Sequence, residues 1–334
     1  MKKIFKLLLG ILGVSVIFVT IGSLCIGFVF WHYGRYLPDY QQLINYEPPT
    51  ATRLHAGDGR LLKEFARENR VFVPIDSLPK RVINAFVAAE DQNFFSHGGI
   101  DLIGVVRAII TNIQNFGSEK RLVGASTITQ QVAKNFLLSN EISINRKIKE
   151  AILAFRIERA LSKERILELY LNQIYLGSGS YGIAAASLRY FDKAITELDY
   201  VEASLLAALP KAPSKYNPFK NKELAKFRRN LVLKNLYENN FISEAQYNSF
   251  IKEPIKLKKR KKIYLEDARY YVEDVRKDVL EYYGFDKVYK QGFNIKTPLD
   301  LELQQIATQS LRVGLEKFDR RKGWRGPLTN KKKN

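Results

Sequence analysis

The segment Pro79-Lys80-Arg81-Val82-Ile83-Asn84-Ala85-Phe86-Val87-Ala88-Ala89-Glu90-Asp91-Gln92-Asn93-Phe94-Phe95-Ser96-His97-Gly98-Gly99 decides how the rest of the chain is read. Val82, Ile83, Phe86 and Val87 fall on one face at helical spacing, and Pro79 suits a helix start. This helix runs into two carboxylates, Glu90 and Asp91. Acids at a helix C-terminus oppose the macrodipole, which costs free energy and points to a functional placement. A solvated helix end with His97 as a local cap is the plain alternative. The same periodicity predicts further helices over Leu102–Phe116, Ser126–Leu138, Ile144–Leu161 and Lys163–Tyr175, with Ser162 as an N-cap, and over Leu198–Leu209, stopped by Pro210. No repeat of 20–50 residues interrupts them. The expected core is mainly α.

Working outward, the N-terminal flank fixes the compartment. Lys2, Lys3 and Lys6 precede Leu7–Phe30, which runs 24 residues without a charge. A helix of that length spans about 36 Å, against about 30 Å of bilayer hydrocarbon. A cleaved signal peptide has a shorter apolar stretch, about 7–15 residues. The expectation is an uncleaved transmembrane anchor over residues 1–36, its N-terminus cytoplasmic by the positive-inside rule, followed by a Trp31, Tyr33, Tyr36 interfacial belt. Pro38–Thr50 reads as a linker, and Thr52–Val73 as a hairpin around Gly57-Asp58-Gly59. Beyond Phe219 the chain is rich in lysine and asparagine. Lys256 and Lys258–Lys262 form a basic run, Gly292–Thr297 reads as a strand, and Asp300–Leu315 as one more helix. The predicted domains are therefore 1–36, 37–235 and 236–334, the last containing a short β-containing linker region.

The chain has 334 residues, with 54 Lys plus Arg against 34 Asp plus Glu, a net charge of +20. Such a balance favours anionic partners, and an extracytoplasmic location makes nucleic acid an unsuitable one. One cysteine excludes an internal disulfide framework, and three histidines exclude a His-rich metal cage.

Three further stretches carry possible chemistry. Gly124-Ala125-Ser126-Thr127-Ile128-Thr129-Gln130-Gln131-Val132-Ala133-Lys134-Asn135 places small residues and donors at a helix start, a pattern suited to an oxyanion or phosphate and equally to an ordinary capped helix. Thr127, Gln131 and Lys134 share one helical face. Arg146-Lys147-Ile148-Lys149-Glu150 sets two cations over one carboxylate, either a surface salt bridge of little worth or part of a diphosphate site. In Lys163–Asn172 the apolar residues read as core, and Glu168 and Asn172 as groups that fix one helix to another.

Together these stretches resemble the glycosyltransferase family 51 domain of class A penicillin-binding proteins. The pattern E-D-x-x-F-x-x-H-x-G matches Glu90, Asp91, Phe94, His97 and Gly99. G-G-S-T-I-T-Q-Q matches Gly124–Gln131, with Ala125 in place of the second Gly. R-K-x-x-E matches Arg146, Lys147 and Glu150, and K-x-x-I-L-E-x-Y-L-N matches Lys163–Asn172. The resemblance implies a lysozyme-like, mainly α glycosyltransferase fold in the bacterial inner membrane. It implies lipid II and a lipid-linked glycan chain as substrates, joined by a β-1,4 bond with inversion and release of undecaprenyl diphosphate. Its implied catalytic residues are Glu90 and Glu150. Asp91, Phe94, His97, Ser126, Thr127, Gln130, Gln131, Lys134, Asn135, Arg146 and Lys147 are its implied substrate-binding residues. No dedicated metal site is expected, although a divalent Mg or Mn ion at the diphosphate fits the chemistry. A transpeptidase or the division and elongation proteins are the implied partners. No ordered set of S-x-x-K, S-x-N and K-T-G motifs follows, so the chain reads as truncated before a transpeptidase domain. The alternatives are an inactive membrane-anchored scaffold and a lysozyme-like hydrolase. Leu102–Phe116 is expected either to dip into the bilayer or to be a core helix.

Overall fold

The computed structural model describes residues 13, 16–17, 20–24, 27–35, 37–44, 46, 52–65, 71–117, 124–139, 141, 143–258 and 268–323. Eleven helices among them carry the architecture: α1 Lys80–Glu90, α2 Leu102–Gln114, α3 Ile128–Leu137, α4 Ile144–Ala160, α5 Lys163–Gln173, α6 Ile183–Phe191, α7 Tyr200–Ala208, α8 Lys222–Glu238, α9 Glu244–Phe250, α10 Arg269–Asp286 and α11 Leu301–Arg321. About half of the expected anchor falls outside the described residues. Residues 20–24 and 27–34 are helical, and no helix among the described residues is long and apolar enough to cross a membrane.

The chain divides into two compact units, residues 1–47 with 72–259, and residues 48–71 with 260–334. The sequence reading draws boundaries at 36 and 235. The hairpin strands β1 (Thr52–His55) and β2 (Leu61–Phe65) group with the C-terminal segment, because β1 pairs in parallel with β3 (Asn294–Lys296), giving strand order β2-β1-β3. Leu54, Ala56, Leu62, Phe65, Ala268 and Leu301 form the small core of that unit.

The larger unit is all helical in its core. α7 is apolar on nearly every side and almost wholly buried, as a central helix must be. α1 and α8 pack on it, with Val82, Ala85, Phe86 and Ala88 of α1 turned inward. α5 buries an unbroken run from Ile166 to Asn172. Glu168 and Asn172 anchor an extended segment rather than another helix: Glu168 accepts from the Ile75 N–H at 2.8 Å, and Asn172 exchanges hydrogen bonds of 2.8 and 2.9 Å with both backbone groups of Val73. Buried backbone outside regular structure needs such partners.

α2 departs from this pattern. Ala108 faces inward, while Leu102, Ile103, Val106, Ile109, Ile110, Ile113 and the following Phe116 are all exposed. Burying one large apolar side chain is worth about 1.5–3 kcal/mol, so the helix forgoes much stabilisation by facing outward. The core-helix alternative for Leu102–Phe116 is therefore not what the fold adopts.

Arg229 of α8 is fully buried, and its guanidinium donates to the carbonyls of Phe250, Ile251 and Glu253 at and just past the end of α9. Arg229→Met would take from the Glu253 carbonyl its donor and leave the Phe250 and Ile251 carbonyls to the Glu253 N–H and the Asn230 amide, at about 1–3 kcal/mol for a group left unsatisfied, partly offset by relief of the buried charge. A net loss of about 2 kcal/mol is expected in urea unfolding; unchanged stability would contradict the role.

Candidate active site

Glu90 ends α1, and its half-buried carboxylate accepts a 2.7 Å hydrogen bond from Gln131 Nε2 on α3. Burial pushes the Glu90 pKa above its ordinary 4.5; the Gln131 bond and the nearby charges of Arg228 and Lys211 act in the opposite direction. Asp91, next in sequence, is differently employed. It accepts from the Ile128 N–H at 2.9 Å, at the first turn of α3. His97 Nε2 lies 3.0 Å from both its oxygens. Gly99 N–H can only donate, so at 3.1 Å it makes His97 Nδ1 an acceptor and leaves the ring proton on Nε2, directed at Asp91. Gly99 itself has φ +98°, and a Cβ there would stand 2.8 Å from the Ala154 carbonyl oxygen of α4, so this turn requires glycine.

The polar residues at the start of α3 are largely spent on structure. Thr127 and Gln130 close a capping box, and Thr127 Oγ1 also donates to the Gly99 carbonyl at 2.7 Å. Phe94 is fully buried, its ring under the Lys163 ammonium at 4.5 Å. Lys163 donates in turn to the His97 carbonyl and to Glu158, each at 2.7 Å, and Thr129 donates to the same Glu158 oxygen at 2.6 Å. Of the expected substrate-binding residues, then, Asp91, Phe94, His97, Thr127 and Gln130 are placed in the frame that holds the loop, rather than on open surface. Neither Gly124 nor Ala125 takes a positive φ, so alanine is accommodated at 125.

Ser126 joins the frame to the cations. It accepts from Lys147 Nζ at 2.9 Å, and Lys147 also bonds Glu150. Arg146 Nε lies 3.0 Å from the other Glu150 oxygen, out of line for a good hydrogen bond. Glu150 is 1% exposed. It therefore sits behind its two cations rather than among groups open to a ligand. Lys134 and Asn135 are half-buried on α3; neither has a partner among the described residues.

A cleft of about 190 Å³ opens at this point, lined by Glu90, Asp91, Ser126 and Thr127 on one side and by Gly104, Arg107, Ala108 and Thr111 of α2 on the other. The cluster of Arg146, Lys147 and Glu150 reaches this lining through Ser126. Arg107, Arg228, Lys211 and Glu158 were not anticipated from sequence. Each lies outside the dense motifs, and only folding brings them near. Asn235 of α8, also unanticipated, donates to the Ala88 carbonyl at 2.9 Å and ties down the turn that carries Glu90.

Among the described residues no three His, Cys, Asp or Glu side chains come together to hold a metal, and both Glu150 oxygens face cations.

The family described as Transglycosylase matches residues 58–237. Similar proteins include penicillin-binding protein 1A of Rickettsia felis, 47% identical over 98% of this chain and 41% of its own length, and that of Aquifex aeolicus, 46% identical over 93% and 42%. The chain thus spans about two fifths of the length of these relatives. The crystal structure of penicillin-binding protein 1A from Haemophilus influenzae superposes with a TM-score of 0.50 at 28% identity, covering 86% of this chain and 32% of that one. The matched region takes in more than half of the chain and every residue of the cleft and its cation cluster, and the chain belongs to the transglycosylase family.

Proposed function

We propose that this chain polymerises lipid II into β-1,4-linked glycan, with Glu90 as general base and Lys134, Arg146 and Lys147 receiving the departing diphosphate. The observation that carries this reading is the cleft itself. A carboxylate whose pKa is raised by burial lines one wall, and a cation cluster reaches the same wall through Ser126. A sugar hydroxyl is a poor nucleophile and needs a base as it attacks. In the proposed step, the acceptor 4-hydroxyl gives its proton to Glu90 and its oxygen bonds to the donor's anomeric carbon. The bond from that carbon to the diphosphate oxygen breaks with inversion, and the leaving group keeps the electron pair. Its developing charge is what fixed cations stabilise. Glu150 is a positioning residue, holding Arg146 and Lys147 in place. Arg107, on the α2 wall, suits the diphosphate of the second lipid-linked sugar. A divalent ion would depend on substrate oxygens for its ligands.

The substrate's lipid suits the outer face of α2. The helix that walls the cleft is apolar on its far side, and a helix is about 10 Å thick, so the reaction would run just above the bilayer. Residues 1–36 would anchor the chain in the bacterial inner membrane, N-terminus cytoplasmic and catalytic unit outside.

A lysozyme-like hydrolase fits less well. Glycosidases need a second working carboxylate across the scissile bond. The Asp91 side chain is 2% exposed and committed to His97 and Ile128, and Glu150 is committed to two cations. Incubating the purified chain with lipid II in detergent separates the readings: a polymerase yields long glycan, whereas shortening of preformed strands without synthesis would overturn the proposal.

The pH dependence follows from the Gln131 bond. Glu90 must be ionised to accept a proton, so kcat/KM falls as pH drops through its pKa. The Gln131 N–H stabilises the charged form, and Gln131→Ala removes that stabilisation. The acid limb of the profile is expected to move to higher pH; no movement, or movement to lower pH, would contradict the assignment.

A further inference from the structure

We propose that a second anion site, distinct from the cleft, lies where the N-terminal helical segment (residues 27–34) meets the start of α4, and that it holds the phosphate of an anionic membrane phospholipid. A pocket of about 210 Å³ opens there, lined by His32, Tyr33, Asn145 and Lys149. This is roughly seven times the ~30 Å³ share of one liquid water, room for a phosphodiester head group. No carboxylate of the described residues lines it. Lys149 is half-buried and has no ionic partner among the described residues, in contrast to Arg146 and Lys147, which are paired with Glu150.

The polar groups around Lys149 are arranged as donors. Tyr33 Oη donates to Asn145 Oδ1 at 2.9 Å, which fixes the amide with its NH₂ group free to donate. The His32 ring packs edge-on against Tyr33 and stacks on Phe28, so its position is set by neighbours. The segment end is secured separately. Arg156 of α4 donates to the Gly34 carbonyl at 3.3 Å, Phe30 packs edge-on against Phe155, and Arg35 lies 3.9 Å over the Trp31 ring.

Helix geometry keeps this site apart from the cleft. At 3.6 residues per turn, Asn145, Lys149 and Arg156 lie on one stripe of α4, Lys147 and Glu150 lie roughly 100–180° around the axis from it, and Arg146 falls between the two. The aromatic side chains Phe28, Phe30, Trp31 and Tyr33 are of the kind that mark a membrane interface, and a basic pocket beside a membrane helix at that depth matches a phospholipid phosphate. This inference rests on the reading of residues 1–36 as an anchor, and it assigns the membrane a bound molecule as well as a solvent role.

The test uses the full chain in detergent, titrated with phosphatidylglycerol, phosphatidylcholine, inorganic phosphate or lipid II, with retained molecules counted by native mass spectrometry. One phosphatidylglycerol is expected to stay bound at concentrations where phosphatidylcholine does not. Lys149→Gln should weaken that retention at least tenfold. Tyr33→Phe, which keeps the ring and releases Asn145, should weaken it several-fold. Lipid II polymerisation in detergent by Lys149→Gln should stay at the wild-type level, so that loss of the lipid site and failure of the proposed activity are read separately. Equal retention of both phospholipids, unchanged retention in Lys149→Gln, inorganic phosphate binding as tightly as phosphatidylglycerol, or displacement of phosphatidylglycerol by lipid II would each overturn the proposal.

Discussion

Glu90→Gln is expected to lower lipid II polymerisation by about 10²–10⁴-fold, the range that a positioned general base contributes, with the melting temperature held near that of the unchanged chain. The substitution keeps the size of the side chain, and Gln131 can turn its amide to present oxygen instead of nitrogen, so the 2.7 Å contact between α1 and α3 survives. Removing a buried carboxylate whose ionisation is opposed by burial does not weaken the fold by itself. The loss should therefore fall on kcat and leave KM of the same order. Glycan synthesis by Glu90→Gln at near-normal rate would remove Glu90 as the base.

Lys134→Ala is expected to cost about 10²–10³-fold in kcat, as removal of a fixed stabilising donor does at other sites where charge develops. It is the cleanest of the three cation substitutions. Arg146 and Lys147 are already bound to Glu150, and removing either leaves a carboxylate that is 1% exposed with a single partner, so activity and stability would fall together. Lys134 has no such debt. It lies on the α3 stripe that begins with Thr127 and passes through Gln131, whose amide holds Glu90, and its charge is not offset by any described neighbour. Steady-state kinetics with lipid II, alongside thermal unfolding, would check this. An unchanged kcat would mean that the diphosphate departs elsewhere.

Much of this site was legible before folding because it is dense in sequence. The helices α1 to α5 carry clear periodicity, and one cap is spelled out: Ser162 accepts from the backbone N–H of Arg165, as an N-cap does. Glu90, Gln131 and the cluster at 146–150 stood out as polar groups at helical spacing. What sequence does not carry is which polar groups are spent on the backbone. Thr127, Gln130 and Asp91 look like ligand groups in a motif, and in the fold they satisfy N–H donors at the start of α3. The bounds of helix α8 were not legible for a related reason. Its inner stripe of Ala225, Arg229, Val232, Leu233 and Leu236 includes a fully buried arginine, which breaks the apolar pattern that marks a helix face. The orientation of α2 was likewise undecided. An apolar run is the same string whether it faces a core or a membrane, and only the position of Ala108 and the cleft behind it distinguishes the two.

The most direct test of the central claim is a structure of the chain with an unreactive diphosphate-linked sugar donor bound. The account places the diphosphate oxygens within hydrogen-bond reach of Lys147 and either Arg146 or Lys134, and the anomeric carbon on the side of the cleft that faces the Glu90 carboxylate. A diphosphate bound away from all three cations, or an anomeric carbon that Glu90 cannot approach even through the acceptor hydroxyl, would contradict it.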